Sequence, residues 1–210
     1  MKLTASHITG LKVIIHLISL AFVAVLITRT LTEGFGADPT EGLSHFTGKA
    51  ALNTLILTLL VSPIARKFRQ GALMKVRRVL GLYSFFWAVL HLVVYLALDL
   101  GFDSSLLVSE IITRPYLTLG AICWLILLAL AITSTQGMQR RLGPRWQKLH
   151  NWVYLVILLA PIHYYWSVKS GIIEPALYIA TALILLSFRH KTLRRWLPGL
   201  PIRPTSTERS

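Results

Sequence analysis

The sequence predicts an all-α, polytopic membrane protein: a bundle of six transmembrane helices with the N and C termini in the cytoplasm. Three observations support this prediction. Of the 210 residues, 54% are apolar and only 14% are charged, whereas about a quarter of a typical soluble domain is charged. The mean hydropathy is +0.62. The apolar residues also fall in long runs, and the segments between these runs alternate in charge.

Six apolar segments approach the roughly 20 residues that a helix needs to cross a bilayer core about 30 Å thick. They cover residues 10–29, 49–65, 79–99, 117–134, 149–168 and 172–189. Helices are expected because lipid cannot satisfy the hydrogen-bonding groups of an open backbone. We therefore expect residues 1–190 to form one membrane domain and residues 191–210 to form a mobile, basic cytoplasmic tail.

The charge distribution gives the orientation. Sixteen of the 22 basic residues lie in segments 66–78, 140–148 and 189–209, and seven of the eight acidic residues lie in the other connecting segments. Cytoplasmic loops carry an excess of Lys and Arg, so the three basic segments are assigned to the cytoplasm. The even number of helices then places the N terminus there too. Topology and anionic lipid headgroups account for the net charge of +14, without nucleic acid binding.

Histidines inside apolar segments are the candidate functional residues, because ionisable groups in a membrane are costly. His91 and His163 lie about 18 Å and about 20 Å from the cytoplasmic ends of the third and fifth segments, at 1.5 Å per residue. Two imidazoles at matched depth can clamp one haem iron as axial ligands. A hydrogen bond from each imidazole to a Ser, Thr or carbonyl group, and a proton relay, remain as alternatives. A zinc site is disfavoured because no ligand cluster has suitable spacing.

A second site is suggested nearer the cytoplasm. His150 lies 13 residues before His163, about 20 Å along a helix. A partner imidazole is expected at the same level of the third helix, where Arg77 and Arg78 stand instead. His16, also in the cytoplasmic half, is a speculative partner. Positive-inside topology is sufficient to explain the two arginines.

Several stretches resemble the MsrQ (YedZ) family, the haem-binding membrane subunits of the bacterial methionine sulfoxide reductase system MsrPQ, which belong to the ferric reductase-like transmembrane group. The resemblance covers most of the chain up to about residue 190. The stretches are GADP at 36–39, HFTGKAAL at 45–52, RRVLGLYSFFWAVLHL at 77–92, ITRPYLTLG at 112–120 and TSTQGMQRRLGPRWQKLHNWVYLVILLAPIHYYWSVK at 133–169.

The resemblance implies haem b bound by the residues matching His91, His150 and His163, together with an FMN. Given that implication, Arg77 and Arg78 are candidates to hold the flavin phosphate, with positive-inside topology as the alternative explanation of this pair. It further implies a protein of the bacterial inner membrane that carries electrons outward. Its donor would be quinol or a cytoplasmic flavin reductase. Its acceptor would be the periplasmic molybdopterin enzyme MsrP, which reduces methionine sulfoxide in oxidised proteins. The third helix of the wider group usually carries two histidines, so Arg77 and Arg78 leave open whether one haem or two are bound.

Two other functions compete with electron transfer. A proton-coupled transporter could use intramembrane histidines as a relay, but such transporters usually place an acid deep in the membrane, and no segment here does. A haem carrier would bind haem loosely and release it. The sequence contains no GxGxxG dinucleotide-binding motif after a strand, so electrons are expected to arrive and leave through partner proteins.

Overall fold

The computed structural model describes residues 3–32, 34–168 and 171–189, and all regular structure within these ranges is helical. The α-helices of this part of the chain are α1 (Ala5–Leu31), α2 (Pro39–Lys67), α3 (Arg77–Val94), α4 (Ser104–Thr113), α5 (Pro115–Ile132), α6 (Gln136–Leu142), α7 (Pro144–His150), α8 (Val153–Ser167) and α9 (Ile173–Ser187). A 3₁₀ turn, Gly71–Val76, leads into α3, and a π-helical turn, Tyr95–Asp99, follows it. The all-α prediction is confirmed.

Four helical stretches are long and apolar enough to cross a membrane. They are Ala5–Leu31, Pro39–Lys67, Gly71–Asp99 and Pro115–Ile132. The last two predicted segments correspond to α8 and α9, which have 15 residues each. The predicted segment 149–168 also includes the end of a separate short helix, because α7 ends at His150 and α8 begins at Val153. The predicted tail, 191–210, lies outside the described residues.

The helices on one side of the molecule begin at clear sequence signals. Asp38 caps α2 by accepting a hydrogen bond from the backbone N–H of Glu41 at 3.0 Å, and Pro39 occupies the first helical position. Asp103 caps α4 in the same way. Acceptor side chains at the N-cap satisfy free backbone N–H groups, and proline is tolerated where no donor is needed. The short helix α4 was not among the six predicted segments.

Helix α2 continues through an internal proline. Pro63 has no N–H, so the carbonyl of Leu59, four residues earlier, loses its helical donor. The Arg189 guanidinium supplies one, at 3.1 Å from the Leu59 oxygen, and also donates to the Tyr154 hydroxyl at 3.1 Å. The chain just after α9 is thereby tied to α2 and α8.

The main hydrophobic core lies between α2, α5, α8 and α9. Its most buried members are Val156 and Ile157 of α8, both 0% exposed. In contrast, α1 contributes few buried side chains, and its apolar residues such as Leu17 and Leu20 are 60% and 65% exposed. A helix that is apolar on its outward face is suited to contact with lipid hydrocarbon.

Candidate functional site

A cavity of about 830 Å³ lies between α2, α3, α5 and α8, with α4 along one side. This volume is within the range of small-molecule and cofactor sites. One end is lined mainly by apolar residues, such as Leu55 and Leu127, and the other by polar residues, such as His45 and Lys49. His91 and His163 both line it.

The imidazole of His91 is fixed by the backbone of α2. Its Nδ1 lies 3.0 Å from the carbonyl oxygen of Ser44 and 3.4 Å from Oγ1 of Thr47. A carbonyl oxygen can only accept, so Nδ1 carries the proton and Nε2 keeps a free lone pair. Gly48 makes this approach possible, because a Cβ atom there would lie 3.2 Å from Cε1 of His91.

The imidazole of His163 is held in the same manner by α5. Its Nδ1 lies 2.7 Å from the carbonyl oxygen of Tyr116, so Nδ1 is again the donor. Gly120 lies beneath the ring, and a Cβ atom there would be only 2.9 Å from Cε1 of His163. The backbone of α5 can therefore approach this ring closely because Gly120 has no side chain.

These contacts repeat with a constant offset. For both histidines, the residue whose carbonyl accepts from Nδ1 lies 47 residues earlier in the chain, and the facing glycine lies 43 residues earlier. Residues 44–91 and 116–163 are thus equivalent helix pairs, α2 with α3 and α5 with α8. The repeat is not evident in the sequence, because few positions other than the glycines and histidines are identical between the two halves.

The structure brings His91 and His163 together. Their ring centroids are 6.2 Å apart, and the ring planes are inclined by 81°. Two imidazoles that bind one metal ion, each through Nε2 at about 2 Å, have centroids roughly 6 Å apart. The Nδ1 donation leaves both Nε2 atoms available, and among the described residues no hydrogen bond uses them. The donor set and the spacing fit a haem iron.

The polar end of the cavity is lined by His45, Lys49 and Tyr164, none of which is a predicted site residue, and their partner Glu174 lies outside the lining. Lys49 pairs with Glu174, 3.1 Å from Nζ to Oε1, and the Tyr164 hydroxyl donates to Oε2 of Glu174 at 3.1 Å. The ring of His45 packs edge-on against Tyr164, and its Nε2 lies 4.0 Å from Glu41. Glu41, His45 and Lys49 follow one another at four-residue spacing on α2, a pattern that could have indicated a common face.

His150 lies at the end of α7 and does not line the cavity. Its ring stacks on Trp146 at 4.0 Å, and its Nε2 lies 3.2 Å from Oγ1 of Thr133. The position equivalent to His150 in the first half is Arg78, which also lies 13 residues before the cavity histidine. At equivalent positions, the second half therefore has an imidazole and the first half has a guanidinium group.

The other predicted site residues also lie away from the cavity. Arg77 is close enough to His150 to interact with it electrostatically, and Arg66 and Arg77 interact with Arg189 in the same way. Arg78 is exposed. His16 is exposed on α1, where its Nδ1 lies 2.7 Å from the Tyr83 hydroxyl, and no described ring contact joins it to His150.

Comparison with known proteins identifies the family. The family model "Ferric reductase like transmembrane component" matches residues 47–161, which include His91 and end two residues before His163. The protein-methionine-sulfoxide reductase haem-binding subunit MsrQ of Pectobacterium carotovorum is 56% identical over 93% of this chain and 99% of its own length. The corresponding subunit of Cronobacter sakazakii is 53% identical over 93% of this chain and 98% of its own length.

No solved structure matches the chain. The sequence relatives nevertheless cover nearly all of it, and four of its helices are long and apolar enough to span a membrane. It is a multi-pass membrane protein, and the resemblance noted in the sequence is confirmed. The chain belongs to the ferric reductase-like transmembrane family, and within that family to the MsrQ subunits of protein-methionine-sulfoxide reductase.

Proposed function

We propose that this chain is a membrane electron-transfer subunit that binds haem b between His91 and His163. The main support for the proposal is that the two imidazole rings line one cavity of about 830 Å³, with their centroids 6.2 Å apart. The similarity to proteins that are named as haem-binding subunits of a methionine sulfoxide reductase supports it.

Neighbouring residues orient both imidazoles for metal binding. Donation from Nδ1 to the carbonyls of Ser44 and Tyr116 fixes the tautomer and orients each ring, and such a second partner also raises the basicity of the ligating nitrogen. Gly48 and Gly120 leave room for the rings against the neighbouring helices. Haem supplies one-electron chemistry when bound.

Electrons must reach and leave this site through partners. We propose that they come from the quinone pool or a cytoplasmic flavin reductase and go to a periplasmic MsrP-like molybdopterin enzyme that repairs oxidised proteins. The protein's own contribution is a path between the two sides of the membrane. The acidic residues of the proposed outer segments, such as Asp38 and Asp103, suit a partner with a basic surface.

An FMN is proposed on the cytoplasmic side, near His150, Arg77 and Arg78. In support, Arg189 lies near enough to Arg66 and Arg77 to be affected by their charges. A guanidinium group can donate two hydrogen bonds at once to the oxygens of a phosphate, and FMN carries a phosphate. Because Arg78 takes the position equivalent to His150, a single bis-histidine haem is proposed rather than two.

We also propose an orientation of the chain in the membrane. Six spans in the bacterial inner membrane, with both termini cytoplasmic, place His91 and His163 in the periplasmic half and the basic segments 66–78 and 140–148 in the cytoplasm. The charge distribution supports this arrangement.

Substitution of each histidine tests the haem assignment. We expect His91→Ala and His163→Ala, purified as full-length protein, to lose the low-spin spectrum of reduced haem. His7→Ala is the matched control, because His7 is exposed and bonds only within the first turn of α1. A full, unshifted low-spin signal in both cavity variants would remove the assignment.

A further inference from the structure

The cavity between His91 and His163 is polar at one end and apolar at the other. We propose that Lys49, assisted by His45, binds the propionate carboxylates of the haem held by His91 and His163. This inference rests on the function proposed above and adds to it which way round the cofactor lies and which side chains recognise its charged edge.

The cavity is amphiphilic, as haem is. Its inner part is lined by apolar residues, among them Leu52, Leu55, Leu127, Val156 and Ala160. Haem has an apolar macrocycle and two ionised propionates on one edge. A carboxylate that is buried without a partner is strongly disfavoured, so the propionates must lie at the polar end of the cavity.

Lys49 is the innermost charged side chain of the cavity lining. It directly follows Gly48, against which the ring of His91 packs. On the same face of α2, His45 and Glu41 lie about 6 Å and about 12 Å further out, at 1.5 Å per residue. Along α2, a carboxylate that extends outward from the histidine pair would therefore reach Lys49 before it reaches His45 or Glu41.

The existing partners of Lys49 are compatible with this role. Glu174 holds the ammonium group at 3.1 Å, and the Lys49 side chain is 35% exposed. An ammonium group has three donors, so it can bind a propionate while it keeps Glu174. The equivalent position in the second half is Ala121, which carries no charge.

The test compares haem with an analogue that lacks the charges. Haem-free, full-length protein in detergent is titrated with ferric protoporphyrin IX and with its dimethyl ester, and the ratio of the two affinities is measured for each variant. The wild type should prefer the diacid roughly tenfold or more, because charge-assisted hydrogen bonds are strong. Lys49→Met should bring the ratio close to one, and Lys49→Arg should preserve it. A general loss of folding affects both ligands equally and cancels in the ratio.

Two controls separate the possible failures. Arg29→Met removes an exposed cation at the end of α1 and should leave the ratio unchanged. His91→Ala should weaken both ligands alike. A wild-type ratio in Lys49→Met, or no preference in the wild type, overturns the propionate assignment. Unchanged affinity for both ligands in His91→Ala overturns the proposed haem site instead.

Discussion

The contact between Gly120 and His163 allows a sharp test of the site, because one methyl group is enough to disturb it. In Gly120→Ala, the new Cβ would lie 2.9 Å from Cε1 and 3.1 Å from Nδ1 of His163. The ring cannot turn away without breaking its 2.7 Å hydrogen bond to the Tyr116 carbonyl. The imidazole and the backbone of α5 must therefore separate.

The expected magnitude follows from two opposing effects. Overpacking a well-packed interior typically costs about 1–3 kcal/mol, whereas replacing a helical glycine by alanine gains roughly 0.5–1 kcal/mol. The haem-free protein should lose on the order of 1 kcal/mol of stability. Haem binding depends on the position of the ring, so the affinity should fall roughly 10- to 100-fold, at about 1.4 kcal/mol per factor of ten.

The assay is haem titration of the purified protein, followed by the spectrum of the reduced complex. Gly48→Ala provides an intermediate case, because its Cβ would lie 3.2 Å from His91, and it should have a milder effect. Gly10→Ala is the control, since nothing lies within 4 Å of its Cβ. Wild-type haem affinity and an unshifted spectrum in Gly120→Ala would refute the reasoning.

Two further predictions concern the scaffold. Arg189→Met should lower the melting temperature, because the loss of a charge-assisted hydrogen bond to the Leu59 carbonyl costs about 1.5–3 kcal/mol. In a Pro63→Ala background the helix can supply its own donor, so an undiminished cost there would argue against this explanation. Single cysteines at Gly71 and Ser105, in an otherwise cysteine-free protein, should react with an impermeant maleimide from the cytoplasmic and periplasmic sides respectively, and labelling of both from one side would contradict the proposed topology.

The sequence predicted His91 and His163 as a pair because depth along a helix depends only on residue count. Similar distances from the predicted cytoplasmic ends put them at nearly the same level, and in the structure their ring centroids are 6.2 Å apart. Depth does not reveal direction around the helix or the backbone groups that face each ring. Ser44 and Tyr116 were therefore not predicted, since each contributes only a carbonyl oxygen that every residue possesses.

The inner site shows the limit of the same reasoning. The spacing along the chain predicted that His150 lies at the same level as Arg77 and Arg78, and in the repeat Arg78 occupies the position equivalent to His150. The structure adds that the helix ends at His150 and that its Nε2 lies against Thr133. Its role as a ligand stays a prediction, as do the roles of Arg77, Arg78 and His16.

By itself, the sequence determined that this chain is an all-α membrane protein of the MsrQ family with histidines at one depth in two helices. These features depend on hydrophobicity, charge and spacing along the chain, which are local properties. Only the tertiary structure decided that Gly48 and Gly120 make room for the two rings, that the halves 44–91 and 116–163 are equivalent, and that Lys49 lines the cavity. The physical reason is that each of these features is a contact between distant parts of the chain, and its existence depends on how the helices pack.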